Sequence, residues 1–484
     1  MAAPKHLDRL SAVDASFLHQ EQEASHMHVG AGVIFEGPPP TLEEFLDHLE
    51  SRLHLVPRYR QKLAFPPLQA GRPFWVDDPN FNLEYHVRHT ALPHPGGLDQ
   101  LRLLASRIFS QRLDRSKPLW EIWLVQGLTR NRFALITKTH HAMIDGISGV
   151  DLASVLFDLD PVPTKIDPEP WAPAPAPSDA QLLAEGAKDA AGVPVHLAER
   201  ALGALRSPRH AVDEVSHALE GVGEIAWANL NPAPETPLNV PIGSHRRIIR
   251  VHSRLDDFKA VKNSLGGTVN DVVLAVVTGG VRKWLRSRGV RTEGLELRAL
   301  VPVSIRSDLE RGALGNRIAV VRGPLPVYAD DPVETLSIVR EAMEGVKQSK
   351  QALGAEVISG LERFAPPTLL AQASRLNFST RLFNLIVTNV PGPQFPLYLL
   401  GREMEQLVPI AFLPENHAMA VAIMSYNGNV DFGLLGDYDA MPDLDLVGQS
   451  IKDSLAELLG AAGATPSWAR AAEQPADVTP ARPS

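Results

Sequence analysis

The chain of 484 residues contains no cysteine. That excludes disulfide bonds and a thiol nucleophile, and it removes the ligand that completes most structural zinc sites. No run of about 18 uncharged apolar residues occurs, the length a membrane-spanning helix requires. The opening Met1-Ala2-Ala3-Pro4-Lys5-His6-Leu7-Asp8-Arg9 has no apolar stretch of the kind a signal peptide carries. The expectation is a protein that is neither exported through a cleaved signal nor membrane-spanning, and the missing thiols fit a reducing, cytoplasmic setting. Positive charge is also short. With 47 Lys and Arg against 56 Asp and Glu the net charge is −9, and no basic stripe offsets it, which argues against a nucleic-acid partner.

What is present is ordinary globular material: 44% hydrophobic and 21% charged residues, over a length that exceeds what one core usually serves, so two domains of comparable size are expected. In the first half, Met27 to Phe35, Phe81 to Arg88, Trp120 to Gln126 and Phe133 to His140 read as strands. Helices are read near Leu42 to Leu53, entered at Thr41, near Leu98 to Gln111, and from Val150 to Leu159. Pro161 to Ser178 carries seven prolines and reads as extended, semi-rigid chain. Asp179 to Leu205 and His210 to Ala228 have helical spacing and read as bridging helices. The second half shows strands at Arg247 to His252 and Leu295 to Val303, and a hairpin of Met419 to Tyr426 with Val430 to Leu435 around Asn427-Gly428. Its helices follow Asn270, span about Pro332 to Lys350, and run from about Leu444 to Leu459. The division expected is 1–160, a Pro-rich and helical linker 161–240, a second half 241–463, and a disordered tail 464–484.

The most informative stretch is His140-His141-Ala142-Met143-Ile144-Asp145-Gly146, which follows the apolar, β-branched Phe133-Ala134-Leu135-Ile136-Thr137-Lys138-Thr139. Alternation along a strand puts Lys138 and His140 on one face and Thr139 and His141 on the other, so the two histidines are expected to point apart. That counts against a shared metal ion. Serine hydrolysis through Ser148 is disfavoured because Gly146-Ile147-Ser148-Gly149-Val150 lacks the last glycine of the G-x-S-x-G elbow. A structural reading stays open, in which the histidines are packed and Asp145 caps the next helix. His28 and His86 lie in strand-like runs and read as packed rather than as second bases.

His-His-x-x-x-Asp-Gly resembles the signature of the acyltransferases related to chloramphenicol acetyltransferase. Further stretches resemble the bacterial wax ester synthase/diacylglycerol acyltransferases in particular: Leu10-Ser11-Ala12-Val13-Asp14, Val56-Pro57-Arg58-Tyr59-Arg60, Pro118-Leu119-Trp120-Glu121, Val269-Asn270-Asp271-Val272-Val273-Leu274-Ala275, Leu300-Val301-Pro302-Val303-Ser304-Ile305-Arg306 and Asn389-Val390-Pro391-Gly392-Pro393. The resemblance implies an α/β (α+β) fold of two chloramphenicol acetyltransferase-like subdomains with mixed sheets and helices, a tunnel between them holding the motif near its middle, and an exchange of strands between the halves. The hairpin at Asn427 lies in the region that could supply that exchange. It also implies acyl-CoA as co-substrate, diacylglycerol or a long-chain alcohol as acceptor, contact with a membrane or lipid-inclusion surface, and neither cofactor nor metal.

Chemistry follows the residue types. A hydroxyl becomes a competent nucleophile when a base takes its proton, and a neutral imidazole suits that task near pH 7. His141 is the expected general base, so activity should fall as it becomes protonated. His140 supports it, and Gly146 allows close approach of substrate to backbone. In this superfamily Asp145 is architectural, paired to an arginine for which Arg58 and Arg306 are the candidates. Asn270 is either the donor to the oxyanion or acceptor, or a helix N-cap, and Asp271 reads as structural in the first helical turn. Ser304 and Arg306 are the substrate-binding candidates. The rival activities are a condensation-type or polyketide-linked acyltransferase, and a lipid-binding protein that keeps the fold without catalysis.

Overall fold

Helices begin where a short polar side chain precedes apolar periodicity. Ser11 accepts the Asp14 amide at 3.0 Å and opens α1 (Ala12–Gln20), and Thr41 forms a capping box with Glu44 at the start of α2 (Leu42–Glu50). The computed structural model describes residues 8–69, 71–143, 156–186, 231–304, 318–348 and 378–473. Its remaining helices are α3 (Leu83–His86), α4 (Leu98–Phe109), α5 (Leu255–Leu265), α6 (Val269–Ser287), α7 (Pro332–Gln348), α8 (Leu444–Ala461) and α9 (Ser467–Glu473).

Two mixed six-stranded sheets organise the chain, the α/β architecture of two halves that the motifs implied. The first contains β2 (His28–Phe35), β5 (Val87–Ala91), β6 (Trp120–Leu128), β7 (Arg132–His140), β12 (Tyr398–Leu399) and β13 (Arg402–Ile410), in the order β12-β13-β2-β7-β6-β5. The second contains β8 (Arg246–Arg254), β9 (Leu297–Ser304), β10 (Ile318–Leu325), β11 (Leu385–Pro391), β14 (Met419–Tyr426) and β15 (Asn429–Asp437), in the order β10-β9-β11-β14-β15-β8. A small sheet of β1 (Asp8–Arg9), β3 (Gln61–Ala64) and β4 (Phe74–Asp77) flanks the first; its strands are too short for alternation to reveal them.

The halves do exchange strands, but not through the hairpin at Asn427. That hairpin is paired on both sides within the second sheet, by β11 and β8, so it has no free edge to lend. The crossing element is β13, which pairs antiparallel with β2 from Met404 opposite Phe35 to Ile410 opposite Gly30. The first sheet is therefore not contained in residues 1–160. Where β13 passes over the second sheet, a Cβ on Gly433 would lie 1.7 Å from the Pro409 carbonyl oxygen, an approach that glycine alone permits.

The second half has its core between its sheet and α6, which is buried along most of its length. Gly279 and Gly280 bring α6 directly onto Ser454 and Ile451 of α8; a Cβ on either would come within 2.6 Å of those side chains. No single described helix is long and apolar enough to cross a membrane. The bent pair α5 and α6 passes on composition, and the burial of α6 in this core accounts for its apolarity.

Three expectations change. Phe81 to Arg88 is not one strand, because the Asn82 side chain accepts the Glu84 amide at 2.9 Å and starts α3, leaving the strand to begin at Val87. The chain after Gly463 is not wholly disordered: α9 docks through Ser467, whose amide and hydroxyl donate to the buried Asp257 carboxylate at 3.1 and 2.6 Å. The helix read from Val150 to Leu159 lies largely outside the described residues, and where the chain is described again it has left the helix by Phe157. Of the bridging helices, 179–186 is helical and 187–230 lies outside the described residues.

Candidate active site

Strand β7 ends at His140, and its register with β2 sets His140 directly opposite His28. A short 3-10 turn, His141–Met143, follows. Two hydrogen bonds hold that turn: the His141 amide donates to the Met27 carbonyl at 2.8 Å, and the Ala142 amide donates to His140 Nδ1 at 3.0 Å. The histidines do face different surroundings, although the cause is this turn rather than continued strand alternation.

His140 faces charge. Its Nε2 lies 3.7 Å from Glu21 Oε2, and His28 Nε2 lies 3.6 Å from Glu21 Oε1. Glu21, just past the end of α1, is only 1% exposed at its side chain. It accepts Arg115 Nε at 2.5 Å, is gripped by a second Arg115 nitrogen, and has Arg112 at 3.5 Å. Burial alone would push its carboxyl upward, but the His140 and His28 rings and the Arg115 charge outweigh it and hold Glu21 far below the usual carboxylate range. Burial drives His140 and His28 down, the latter to about 3, so both rings are neutral beside an ionised carboxylate. The neighbouring Lys138, on the same strand face, is neutralised by Glu121 at 2.6 Å and donates to the Ile108 and Gln111 carbonyls at 2.8 and 3.0 Å.

His141 faces rings. Phe17 of α1 stacks on it with centroids 4.0 Å apart, and Phe412, just beyond β13, meets it edge-on at 5.4 Å. Phe378 closes the box, 6.2 Å from Phe17 and 5.9 Å from Phe412. The His141 Nδ1 is buried and has no hydrogen-bond partner among the described residues. Burial first, and the adjacent His140 second, lower the His141 pKa to about 4. Both halves thus build the box. A cavity of about 240 Å³ adjoins it, lined by Gln20, Gln22 and Met27 from the first half and by Phe378, Ser379, Thr380, Glu415 and Asn416 from the second. A larger one of about 420 Å³ lies between α4, β8 and α8 over Gly32, Ile34 and Ile136, on the sheet face that His140 shares.

No hydrogen bond joins Asn270 to His141 among the described residues. The Asn270 Oδ1 accepts from Asn389 Nδ2 at 3.2 Å. Asn389 shares its strand face with Leu385 and Val387, which pack in the α6 core, whereas Ile386 faces the junction between the halves. Nor is Asn270 the N-cap; Thr268 is, in a capping box with Asp271, which makes Asp271 structural. Arg58 is engaged elsewhere, paired to Asp8, bonded to Gln61 at 3.0 Å and stacked 4.6 Å over Trp75. Asp145, Gly146, Ser148 and Arg306 lie outside the described residues, and of Ser304 only the backbone, the last residue of β9, is described. His86 is packed, bonding the Trp120 carbonyl at 2.8 Å and stacked on the Trp120 ring. His28 is buried too, but it belongs to the Glu21 cluster. No group of three or more metal-binding side chains gathers among the described residues.

Glu21, Phe17, Phe378 and Phe412 escaped the sequence reading. None sits in a spacing pattern with the histidines, and a lone glutamate after a helix reads as a solvated cap until the arginines that bury it are placed.

Similarity to known proteins agrees with this geometry. The family model described as "Wax ester synthase/diacylglycerol acyltransferase catalytic domain" matches residues 10–273, and that described as "WS/DGAT C-terminal domain" matches 314–459. The chain is 34% identical over 460 residues to the Mycobacterium tuberculosis protein named "Probable diacyglycerol O-acyltransferase tgs1", covering 94% of this chain and 96% of that protein. It is 33% identical over 467 residues to a second protein of that organism, "Probable diacyglycerol O-acyltransferase tgs2", covering 94% and 100%. Among solved structures, the wax ester synthase/diacylglycerol acyltransferase from Marinobacter aquaeolei VT8 superposes with a TM-score of 0.68 at 27% identity, covering 94% of this chain and 100% of that one. The starter condensation domain of rhizomide synthetase shares the fold, with a TM-score of 0.58 at 13% identity over 95% of each chain.

Proposed function

Since the chain belongs to the wax ester synthase/diacylglycerol acyltransferase family and is an O-acyltransferase, we propose that His141 is its general base, acting on the hydroxyl of a diacylglycerol or long-chain alcohol with acyl-CoA as donor. The observation that carries this is the His141 ring, boxed by Phe17 and Phe412 from the two halves with its Nδ1 sealed. That leaves Nε2 to meet a substrate proton. The hydroxyl proton passes to Nε2, the oxygen attacks the thioester carbonyl carbon, and a tetrahedral oxyanion forms. Its collapse breaks the carbon–sulfur bond, and the departing thiolate takes the proton back, leaving ester and free CoA with no covalent acyl-enzyme.

Burial keeps the ring neutral, and so able to accept a proton, at any ordinary pH. A pKa of about 4 makes it a weak base in the empty site, but the oxyanion that develops beside it favours the imidazolium and restores basicity as the reaction proceeds. Apolar rings add to this by excluding water that would hydrolyse the thioester. Asp145 is proposed to hold the motif loop through an arginine, with Ser304 and Arg306 toward substrate. Asn270 is proposed to fix α6 against β11. Because both acceptors are water-insoluble, the enzyme is proposed to work at a membrane or lipid-inclusion surface on the cytoplasmic side, where it meets acyl-CoA.

The test is a product assay in which labelled palmitoyl-CoA is given with dioleoylglycerol, with hexadecanol or with no acceptor, following both ester and CoA. Ester from either acceptor is expected. CoA release without ester would replace the acyltransferase reading with thioester hydrolysis, and the ratio of the two esters assigns the acceptor.

A further inference from the structure

Glu21 takes no part in the proton transfer just described, yet no carboxylate in the described residues is more closely surrounded by histidine and arginine. An ionised carboxylate that is 1% exposed is costly to bury unless it does something that a neutral side chain cannot. Four side chains converge on it: His28 and His140 through their Nε2 atoms, Arg112 and Arg115 through their guanidinium groups. His26 and Lys138 are the other titratable groups that flank the cluster.

The hydrogen bond at His140 fixes its tautomer. Ala142 donates its amide proton to Nδ1, so Nδ1 carries a lone pair and the ring proton of neutral His140 must sit on Nε2. That N–H faces Glu21 Oε2 across 3.7 Å, a charge–dipole contact longer than a direct hydrogen bond. With the other tautomer, Nδ1–H would meet the Ala142 N–H, and the turn would lose the bond that holds it. Glu21 also touches the site by a second route: its backbone amide caps α1 on the Phe17 carbonyl at 3.1 Å, and the Phe17 ring lies on His141.

We propose that Glu21 is a positioning residue for the acyl transfer: through the Nε2–H of His140 it selects the tautomer whose Nδ1 pins Ala142, and so fixes the turn that aims His141. Arg112 and Arg115 keep Glu21 charged and hold it in place. The inference rests on the reading of His141 as the base. His140 then serves as the link between a charge and a backbone, which explains why a second histidine precedes the base without sharing its chemistry.

A structural role and a positioning role separate in a pair of variants. Glu21→Gln alone orphans Arg115 and destabilises the fold for reasons unconnected with His140, so the comparison uses Arg115→Gln against the double variant Glu21→Gln/Arg115→Gln. Arg115→Gln keeps the carboxylate beside His140, with Arg112 still 3.5 Å away, and is expected to melt lower; its own kcat, whatever fraction of wild type it retains, is the reference for the double variant. The double variant should melt close to Arg115→Gln but lose a further factor of about 10 to 100 in kcat, with KM for palmitoyl-CoA unchanged, the size typical of removing a group that orients a site. Equal kcat in the two variants overturns the proposal. A second readout is taken on the wild-type protein: ring ¹⁵N shifts, with the His140 signal assigned by its loss in His140→Gln, must show His140 protonated on Nε2. Protonation on Nδ1 would overturn the relay. His141→Ala is the control that keeps the two readings apart, because an active His141→Ala removes the base itself, whereas an inactive one with equal kcat in the Arg115 pair removes only the role of Glu21.

Discussion

His140 and His141 are adjacent in the chain and live in opposite media. One ring edge is set against a buried carboxylate and its arginines; the other is stacked on phenylalanine. Both are pushed below the ordinary histidine pKa, but to different ends. In the charged pocket Nδ1 is held by the Ala142 amide and Nε2 faces the Glu21 carboxylate at 3.7 Å, so the ring is committed to its surroundings and orients its neighbour. In the apolar pocket Nδ1 has no hydrogen-bond partner among the described residues, and the ring is left free to accept a proton from a substrate. A base and a support are distinguished here by surroundings and not by residue type.

The comparison breaks most visibly under substitution. His141→Ala is expected to lower kcat by about 10²- to 10⁴-fold, the contribution of a general base, with little loss of melting temperature because the ring has no hydrogen bond at Nδ1 to lose. His140→Ala should cost less in kcat, about 10- to 100-fold, and more in stability, since it removes the Ala142 bond and leaves Glu21 facing a void. Steady-state kinetics beside thermal melts would test the pair; equal losses of turnover would mean that the two rings are not divided as described.

Acidification sharpens the contrast. Activity is expected to fall as His141 becomes protonated, and burial puts that point at about 4. The plateau of kcat/KM should therefore extend well below pH 6.5 and the acid limb should fall near pH 4. Stability behaves differently. His28, His141 and His417 bind protons in the unfolded chain near the ordinary value of 6.5 but only at about 3, 4 and 4 when folded. The unfolded state therefore binds more protons across that window, and stability must fall as pH drops from about 6.5 toward 4, with no further loss from these groups below their folded values. Melting temperatures from pH 7 to 4.5 read this directly; an acid limb in kcat/KM centred near 6.5 would contradict the buried setting of His141.

Phe412→Leu reduces one wall of the apolar pocket. The smaller side chain should let water reach the ring, raise the His141 pKa toward its ordinary value and move the acid limb of kcat/KM upward by less than about one unit, at a stability cost of about 1–2 kcal/mol. A downward move of the limb would show that the ring edge, and not the exclusion of water, governs His141.

Much of this was legible in the chain because the physics involved is local. Thr41 with Glu44, the apolar period of α6, and Asn427-Gly428 each specify an element within a few residues, and each element is present; both Asn427 and Gly428 adopt positive φ, as the hairpin turn requires. The strand leading to His140 was readable for the same reason. What failed depends on pairing across the chain. The crossing strand is β13 because β14 and β15 both have partners, which no local pattern reveals. Glu21 gains its meaning from Arg112, Arg115 and two strands, and Phe412 from the path of β13. Thr268 took the cap considered for Asn270 because the helix begins at Val269, two residues before the start that an Asn270 cap implies.

The smallest expected effect belongs to Asn270, and it tests whether distance from the aromatic box matters. Its amide oxygen holds Asn389 Nδ2 at 3.2 Å on the sheet face packed by α6. Asn270→Ala removes that bond and leaves a partly buried donor on Asn389, a loss of about 0.5–1.5 kcal/mol. Asn389→Ala should cost about the same, and the double variant should cost less than the two losses added, because the second substitution removes a donor already orphaned by the first. Turnover at a temperature where each variant is folded should stay within about threefold of wild type. A donor to the oxyanion would give the opposite pattern: kcat falling by about 10²- to 10³-fold in Asn270→Ala alone, with melting unchanged and Asn389→Ala nearly silent. Coupled losses of stability place Asn270 with the scaffold of the second half, whereas a loss of turnover confined to Asn270 would require α6 to reach the junction and would extend the His141 pocket beyond its rings.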